Sequence, residues 1–358
     1  MKRTKIKLLK VCLLIAGILF IAGCEQAENL NTDNDLPGSF KPGVFIINEG
    51  NFGGGNGSVS YFDLTESKMY NHVFQEINDR SIGDIPQSMF IMDGLGFIVI
   101  NNSAKIEVIN MDDFRSVNTI SGFTSPRHFL PVSDSIAYVS DMFSGSISVV
   151  NINNYTITKT IETGMSTEQM KKIDDEVFLA NWMGGNKILV IDPIMGEIID
   201  SIEVIIEPNS MVMDKNHKLW VLCSGGYLNE EMPGIIRIDP VTREKEKIFR
   251  FSVLESSPSH LCINGLGDTL YFLNNASLPA RQGIFQMPVS DTEIPSEPLV
   301  QTEKLFYSIG VDPESGIIYA SDAVDYQQKG KIFRYLPEGA LKDSFDVDII
   351  PGSFVFNR

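Results

Sequence analysis

One short motif, a β-branched or aromatic run ending in a small or polar residue, returns seven times along this chain. It reads VFIIN from Val44, FIVIN from Phe97, AYVS from Ala137, VFLAN from Val177, LWVLC from Leu219, LYFLN from Leu270 and IYAS from Ile318. Successive copies start about 40 to 50 residues apart. Runs this short, rich in Val, Ile, Phe and Tyr and bounded by turn residues, read as strands. No segment carries a sustained helical period. A repeat of this length cannot bury its apolar faces alone and must stack on its neighbours; four strands per repeat is the content of a propeller blade. The expected fold is all-β, a seven-bladed β-propeller over residues 43–358.

A second element precedes each run except the first: IPQSMFI from Ile85, SPRHFLP from Ser125, STEQMKK from Ser166, EPNSMVM from Glu207, SPSHLCI from Ser257 and LFYSIGV from Leu305. A further copy, IPGSFVF from Ile350, stands near the C-terminus with no run after it. The two gaps complement each other. The C-terminal copy is expected to supply the innermost strand of the blade begun at Val44, closing the ring and removing the open edges that invite aggregation.

The N-terminal region has a different character. Five bases (Lys2, Arg3, Lys5, Lys7, Lys10) precede an apolar run over 11–22, which is short for a membrane span and typical of a signal-peptide core. Ile21-Ala22-Gly23-Cys24 resembles a bacterial lipobox. That resemblance implies a signal peptide over 1–23, cleavage before Cys24 and a lipid on its sulfur, with several acyl chains anchoring where one would bind only weakly. Residues 24–42 are polar, acidic and Pro/Gly-bearing, and are expected to form a flexible lipidated tether. Cys223 and Cys262 lie in apolar runs; after export they can pair, or remain buried thiols in so large a core. The net charge of −17 repels phosphate backbones and anionic lipid surfaces, so nucleic-acid binding is not expected and membrane contact is through the lipid alone.

The hairpin turn Asp192-Pro193-Ile194-Met195-Gly196 and its counterpart at Asp239-Pro240 are tight-turn chemistry. Here the chain resembles the YncE-like and YVTN bacterial propellers. The opening Asn48-Glu49-Gly50-Asn51-Phe52-Gly53, the following SVSYFD from Ser58 and the ending PGSFVFN from Pro351 resemble the surface propeller lipoproteins of Bacteroidetes, which are xenosiderophore-capturing or BtuG-like cobalamin-capturing proteins. The resemblance implies a lipid-anchored outer-membrane protein facing the cell exterior. It would capture a scarce metal chelate, a ferric catecholate siderophore or cobalamin, and deliver it to a TonB-dependent transporter.

Strand order in a four-stranded blade sends the connection into the inner strand and the loop between the second and third strands to one face. The loops expected there are long and glycine-rich, and binding concentrates on such loops. Candidate ligand-binding residues are Phe52, Phe143, Trp182, Met183, Tyr227 and Tyr326, with the bases Arg127 and Arg281 and the histidines His128 and His260. Lys105 and Lys187 add two further bases. The fourth place of the inner-strand element is polar throughout (Ser88, His128, Gln169, Ser210, His260, Ser308, Ser353), and the next place is apolar. The bases tilt the expectation slightly towards a trianionic ferric siderophore. A carbohydrate or protein docking platform is one alternative. A calcium-dependent lactonase is another, with Glu49, Asn102, Asp141, Asn181, Asn275 and Asp322 as possible oxygen ligands. No nucleophile elbow, phosphate loop or zinc spacing is present, and no resident cofactor is expected.

Overall fold

The computed structural model describes residues 36–276 and 281–358. The expected signal peptide, Cys24 and the first part of the tether lie outside the described residues. Pro37–Arg358 form one compact unit.

Seven antiparallel sheets of four strands make up the chain. The innermost strands run Pro351–Asn357 for blade 1, then Pro86–Met92, Pro126–Pro131, Thr167–Ile173, Pro208–Met213, Pro258–Ile263 and Phe306–Val311 for blades 2 to 7. Each contacts the innermost strand of the next blade, and that of blade 7 contacts that of blade 1, so they line a central channel. Blade 1 is the expected composite. Val44 pairs with Phe356, Phe45 with Val355, Ile46 with Phe354 and Ile47 with Ser353. The recurring runs noted in the sequence are the second strands. They have blades packed on both faces, which is why they are apolar without alternation: Val44, Phe45, Ile46 and Ile47 are all fully buried. The outermost strands face solvent on one side and alternate; in Thr156–Glu162, Ile161 is the one buried residue.

Between neighbouring blades lie separate apolar clusters. Phe45, Tyr61, Ile98 and Phe114 sit between blades 1 and 2, and Phe178, Ile188, Val221 and Ile236 between blades 4 and 5. Each fully buried large apolar side chain contributes about 1.5–3 kcal/mol, so the ring is held by many comparable interfaces instead of one centre.

One local feature differs from the sequence reading, and one open alternative is decided. A helix, Val73–Asn78, connects blades 1 and 2. It is too short to leave a periodic signature and is stabilised by tertiary contact: Val73 and Phe74 are buried, and Gln75 Nε2 donates to the Gly57 carbonyl at 2.7 Å. Cys223 and Cys262 are free thiols, and burial pushes the Cys262 thiol up to about 12, far from the thiolate that oxidation requires.

Candidate ligand-binding mouth

Every innermost strand carries a β-bulge near the same place, one residue later in blade 6 than in the others. Pairing with the second strand shifts between Pro86 and Ser88, Pro126 and Phe129, Thr167 and Met170, Pro208 and Ser210, Ser259 and Cys262, Phe306 and Ser308, and in blade 1 opposite Ile47 and Asn48. A bulge leaves residues outside the ladder and re-aims their side chains. Seven bulges on one level give two ranks of polar side chains around the channel.

The rank read from the sequence as a polar ring is largely a set of stitches between blades. Ser353 Oγ donates to the Gln87 carbonyl at 3.4 Å, Ser88 Oγ to the Arg127 carbonyl at 2.7 Å and Ser308 Oγ to the Pro351 carbonyl at 3.3 Å. Gln169 Oε1 accepts from the Met211 N–H at 2.5 Å, and Ser210 Oγ from the Leu261 N–H at 2.9 Å. Each bond runs from one blade to the next. They satisfy innermost-strand backbone groups that have no fifth strand to pair with.

One residue earlier in each copy lies the second rank: Gln87, Arg127, Glu168, Asn209, Ser259, Tyr307 and Gly352. Arg127 makes a bidentate pair with Glu168, Nε to Oε2 at 2.7 Å and a terminal nitrogen to Oε1 at 2.9 Å, and donates to Gln87 Oε1 at 2.6 Å. Its guanidinium lies 5.3 Å from the centroid of the Trp182 ring. His128 Nε2 meets Glu168 Oε1 at 3.1 Å. Gly352 is glycine because a side chain there would strike Glu49: its Cβ would fall 2.5 Å from Glu49 Oε1. Glu49, from the loop beside it, therefore fills the seventh place. Tyr307 Oη donates to Glu49 Oε2 at 2.9 Å, and the Tyr307 ring meets Tyr326 edge-on at 5.8 Å.

The charges in this mouth act on one another across the channel. Burial opposes ionisation of Glu168, but the Arg127 and His128 contacts outweigh it and hold the carboxyl at about 2. Burial likewise opposes the Arg127 charge, and Glu168 and Glu49 more than offset it, so Arg127 stays protonated above its ordinary range. Glu49 is different. Burial dominates, and although Tyr307 and Arg127 favour its anion, the carboxyl is pushed up to about 7.

The loops above this network carry the exposed aromatics. Phe52 (81 % exposed), Phe143 (66 %), Tyr227 (89 %) and Tyr326 (45 %) are the largely exposed aromatic side chains among the described residues, and all four stand on second-to-third-strand loops of one face. Met183 is exposed on the same face. Hairpins of the opposite face expose aliphatic tips such as Ile194, Val241 and Leu266. Loops of blades 1 and 7 are tied together by Asn51 Nδ2 donating to the Tyr326 carbonyl at 2.6 Å.

Three of the four bases read from the sequence are paired with acids. Arg127 is paired as above. Arg281 lies 3.5 Å from Glu297 and lines a cleft of about 910 Å³ at the outer rim between blades 5 and 6, with Arg250 and Phe251. Lys105 binds the buried Glu107 at 3.0 Å, and Lys187 faces Glu203 across its strand pair. The possible calcium ligands mostly brace loops. Asp141 accepts the Ser125 and Phe143 N–H groups, Asn181 Nδ2 donates to the Ser166 carbonyl, Asn275 Nδ2 to the Phe306 carbonyl, and Asn102 Nδ2 to Asp84. Among the described residues no three His, Cys, Asp or Glu side chains gather as a metal site. Sequence reasoning missed Glu168, Gln87 and Tyr307. The available signal was complementary charge at one place of consecutive repeats, Arg127 and Glu168, which an alignment on the fourth place passes over.

Residues 42–333 match a family described as a domain of unknown function, DUF5074. No curated protein matches the chain. Among solved structures, the chain is similar to a quinonprotein alcohol dehydrogenase-like protein from Bacteroides thetaiotaomicron, at 14 % identity and TM-score 0.66 over 89 % of this chain and 79 % of that one. A protein from Lactobacillus plantarum aligns at 13 % identity and TM-score 0.65 over 88 % and 99 %. Virginiamycin B lyase from Staphylococcus aureus aligns at 14 % identity and TM-score 0.58 over 73 % and 83 %. Identities this low establish the shared propeller fold alone.

Proposed function

Because this chain belongs to the DUF5074 family, whose description assigns no activity, we propose its function from the mouth: capture of a bulky metal chelate. In this reading the protein is lipid-anchored at Cys24 on the outer membrane, faces outward, and hands its ligand to a TonB-dependent transporter. The observation that carries it is the placement of every largely exposed aromatic among the described residues on one face. Aromatic surface left exposed on one side of a rigid scaffold marks a contact.

The charge state of the mouth favours one ligand class. Arg127, the base closest to the channel, is consumed by Glu168, and Glu49 adds a second carboxyl. A trianionic ferric tris-catecholate would enter an acidic protein whose mouth arginine is already paired with a carboxylate. An amide-rich, nearly neutral chelate such as cobalamin meets flat aromatics and the neutral groups of Gln87, Asn209 and Tyr307 without that penalty. The preference therefore moves from the siderophore to the corrinoid.

Trp182 makes this testable. The chain has two tryptophans, and Trp220 is fully buried, so ligand-dependent quenching reports chiefly on the mouth. Titration with cobalamin should give saturable quenching, and a ferric tris-catecholate should give weaker quenching or none. Tighter binding of the catecholate would reverse the ligand assignment. No response to either chelate, alongside binding to a polysaccharide or metal-dependent lactone hydrolysis, would replace capture by the docking or enzymatic alternative.

A further inference from the structure

His260 breaks the pattern of its rank. Five of the seven residues at this level stitch their blade to the backbone of the next, and His128 reaches the side chain of Glu168. His260 has no hydrogen-bond or ion-pair partner among the described residues. Ser210 makes the stitch from blade 5 to blade 6 through the Leu261 N–H, and His260 makes none from blade 6 to blade 7. Its backbone is left-handed, with φ of 57°, a conformation that costs a non-glycine residue about 1–2 kcal/mol. The fold thus holds an exposed imidazole out of the stitching, on a strand that borders the channel. The walls hold its protonated form below the ordinary range, to about 4, with Glu168, Arg127 and His128 acting on it from across the channel. At neutral pH a lone pair is available on the ring.

We infer that His260 coordinates the captured metal: an imidazole nitrogen takes an axial position on a planar macrocyclic chelate seated in the aromatic mouth. One metal–nitrogen bond forms, one metal–oxygen bond to an axial water breaks, and no proton or electron is transferred. Imidazole is a common ligand of such metals. This rests on the capture reading and narrows it. A chelate with an exchangeable axial position qualifies, and a coordinatively saturated tris-catecholate does not. Corrinoids and haems both present that chemistry.

Visible absorption of aquocobalamin and of haemin, each titrated with the full-length protein, tests this directly, with a ferric tris-catecholate as the saturated control. Wild-type protein should shift the band of one of the two macrocycles, and which one shifts identifies the source. In His260→Ala the shift should vanish and affinity should fall about tenfold or more. His260→Asn, a residue that tolerates the left-handed backbone, should behave alike and guards against misfolding of the first variant; thermal unfolding checks both. The inference fails if wild-type protein binds a macrocycle with no spectral change, or if either folded variant keeps the wild-type shift. Absence of binding to all three chelates overturns the capture reading together with it.

Discussion

Glu49 sits where a side chain on Gly352 would otherwise project, and its carboxyl titrates near 7 instead of 4.5. The folded chain therefore binds this proton more tightly than the unfolded chain. The resulting stabilisation is complete below pH 4.5, where both states are protonated, and is lost as the pH rises through 7. A displacement of that size corresponds to about 3 kcal/mol. Glu49→Gln, which can still accept from Tyr307, should unfold at higher urea than wild type at pH 8 and at similar urea at pH 4.5; parallel pH profiles for the two proteins would refute this. Glu168 has the opposite sign. Its carboxyl is held at about 2, so it stabilises above pH 4.5 and that stabilisation is lost as the pH falls towards 2. Its pair with Arg127 is nearly dry, the side chains being 8 % and 12 % exposed. Arg127→Met leaves an uncompensated buried carboxylate and should cost about 3–5 kcal/mol, while the double variant Arg127→Met/Glu168→Leu should recover most of it. Additive losses in denaturant unfolding would mean the two residues do not form a functional pair.

At the scale of the element, the closing strand was legible and the bulges were not. A copy of IPGSFVF with no following run, and a run at Val44 with no preceding copy, together specified the pairing seen between Val44 and Phe356. The second strands were equally clear, because burial on both faces leaves an unbroken apolar run that composition alone reveals. Bulges leave no such trace. Alternation through Pro126-Arg127-His128-Phe129 gives no sign that both polar residues fall in a bulge, so the fourth-place rank alone stands out. The short helix at Val73–Asn78 escaped for lack of length. Closure makes its own prediction. The strand Pro351–Asn357 fills the inside of blade 1, and Arg358 adds an ion pair with the buried Asp312 of blade 7. Deleting 351–358 exposes the edge of Gly43–Asn48 and should yield protein that aggregates or unfolds without cooperativity. A soluble, cooperatively unfolding truncation seen by circular dichroism would show that the ring does not depend on this strand.

For the molecule as a whole, seven repeated interfaces make a rigid disc, and the chemistry that distinguishes one propeller from another is confined to the loops of one face and the ranks beneath them. That division explains what could be read in advance. Architecture repeats, so it is written several times over; the site is assembled from residues of different blades, each ordinary in its own repeat, and becomes visible only when Arg127, Glu168, Glu49 and Tyr307 meet around the channel. The exposed aromatic loop residues stand on one face, and Arg127 and Arg281 each lie beside a carboxylate. Hydrogen–deuterium exchange of the full chain with and without cobalamin probes the central claim most directly. Ligand should slow exchange in the segments 49–57, 141–145, 182–186 and 322–330 and leave the hairpins 193–196 and 240–243 of the opposite face unchanged. Protection confined to those opposite hairpins, or spread evenly over both faces, would contradict capture at this mouth.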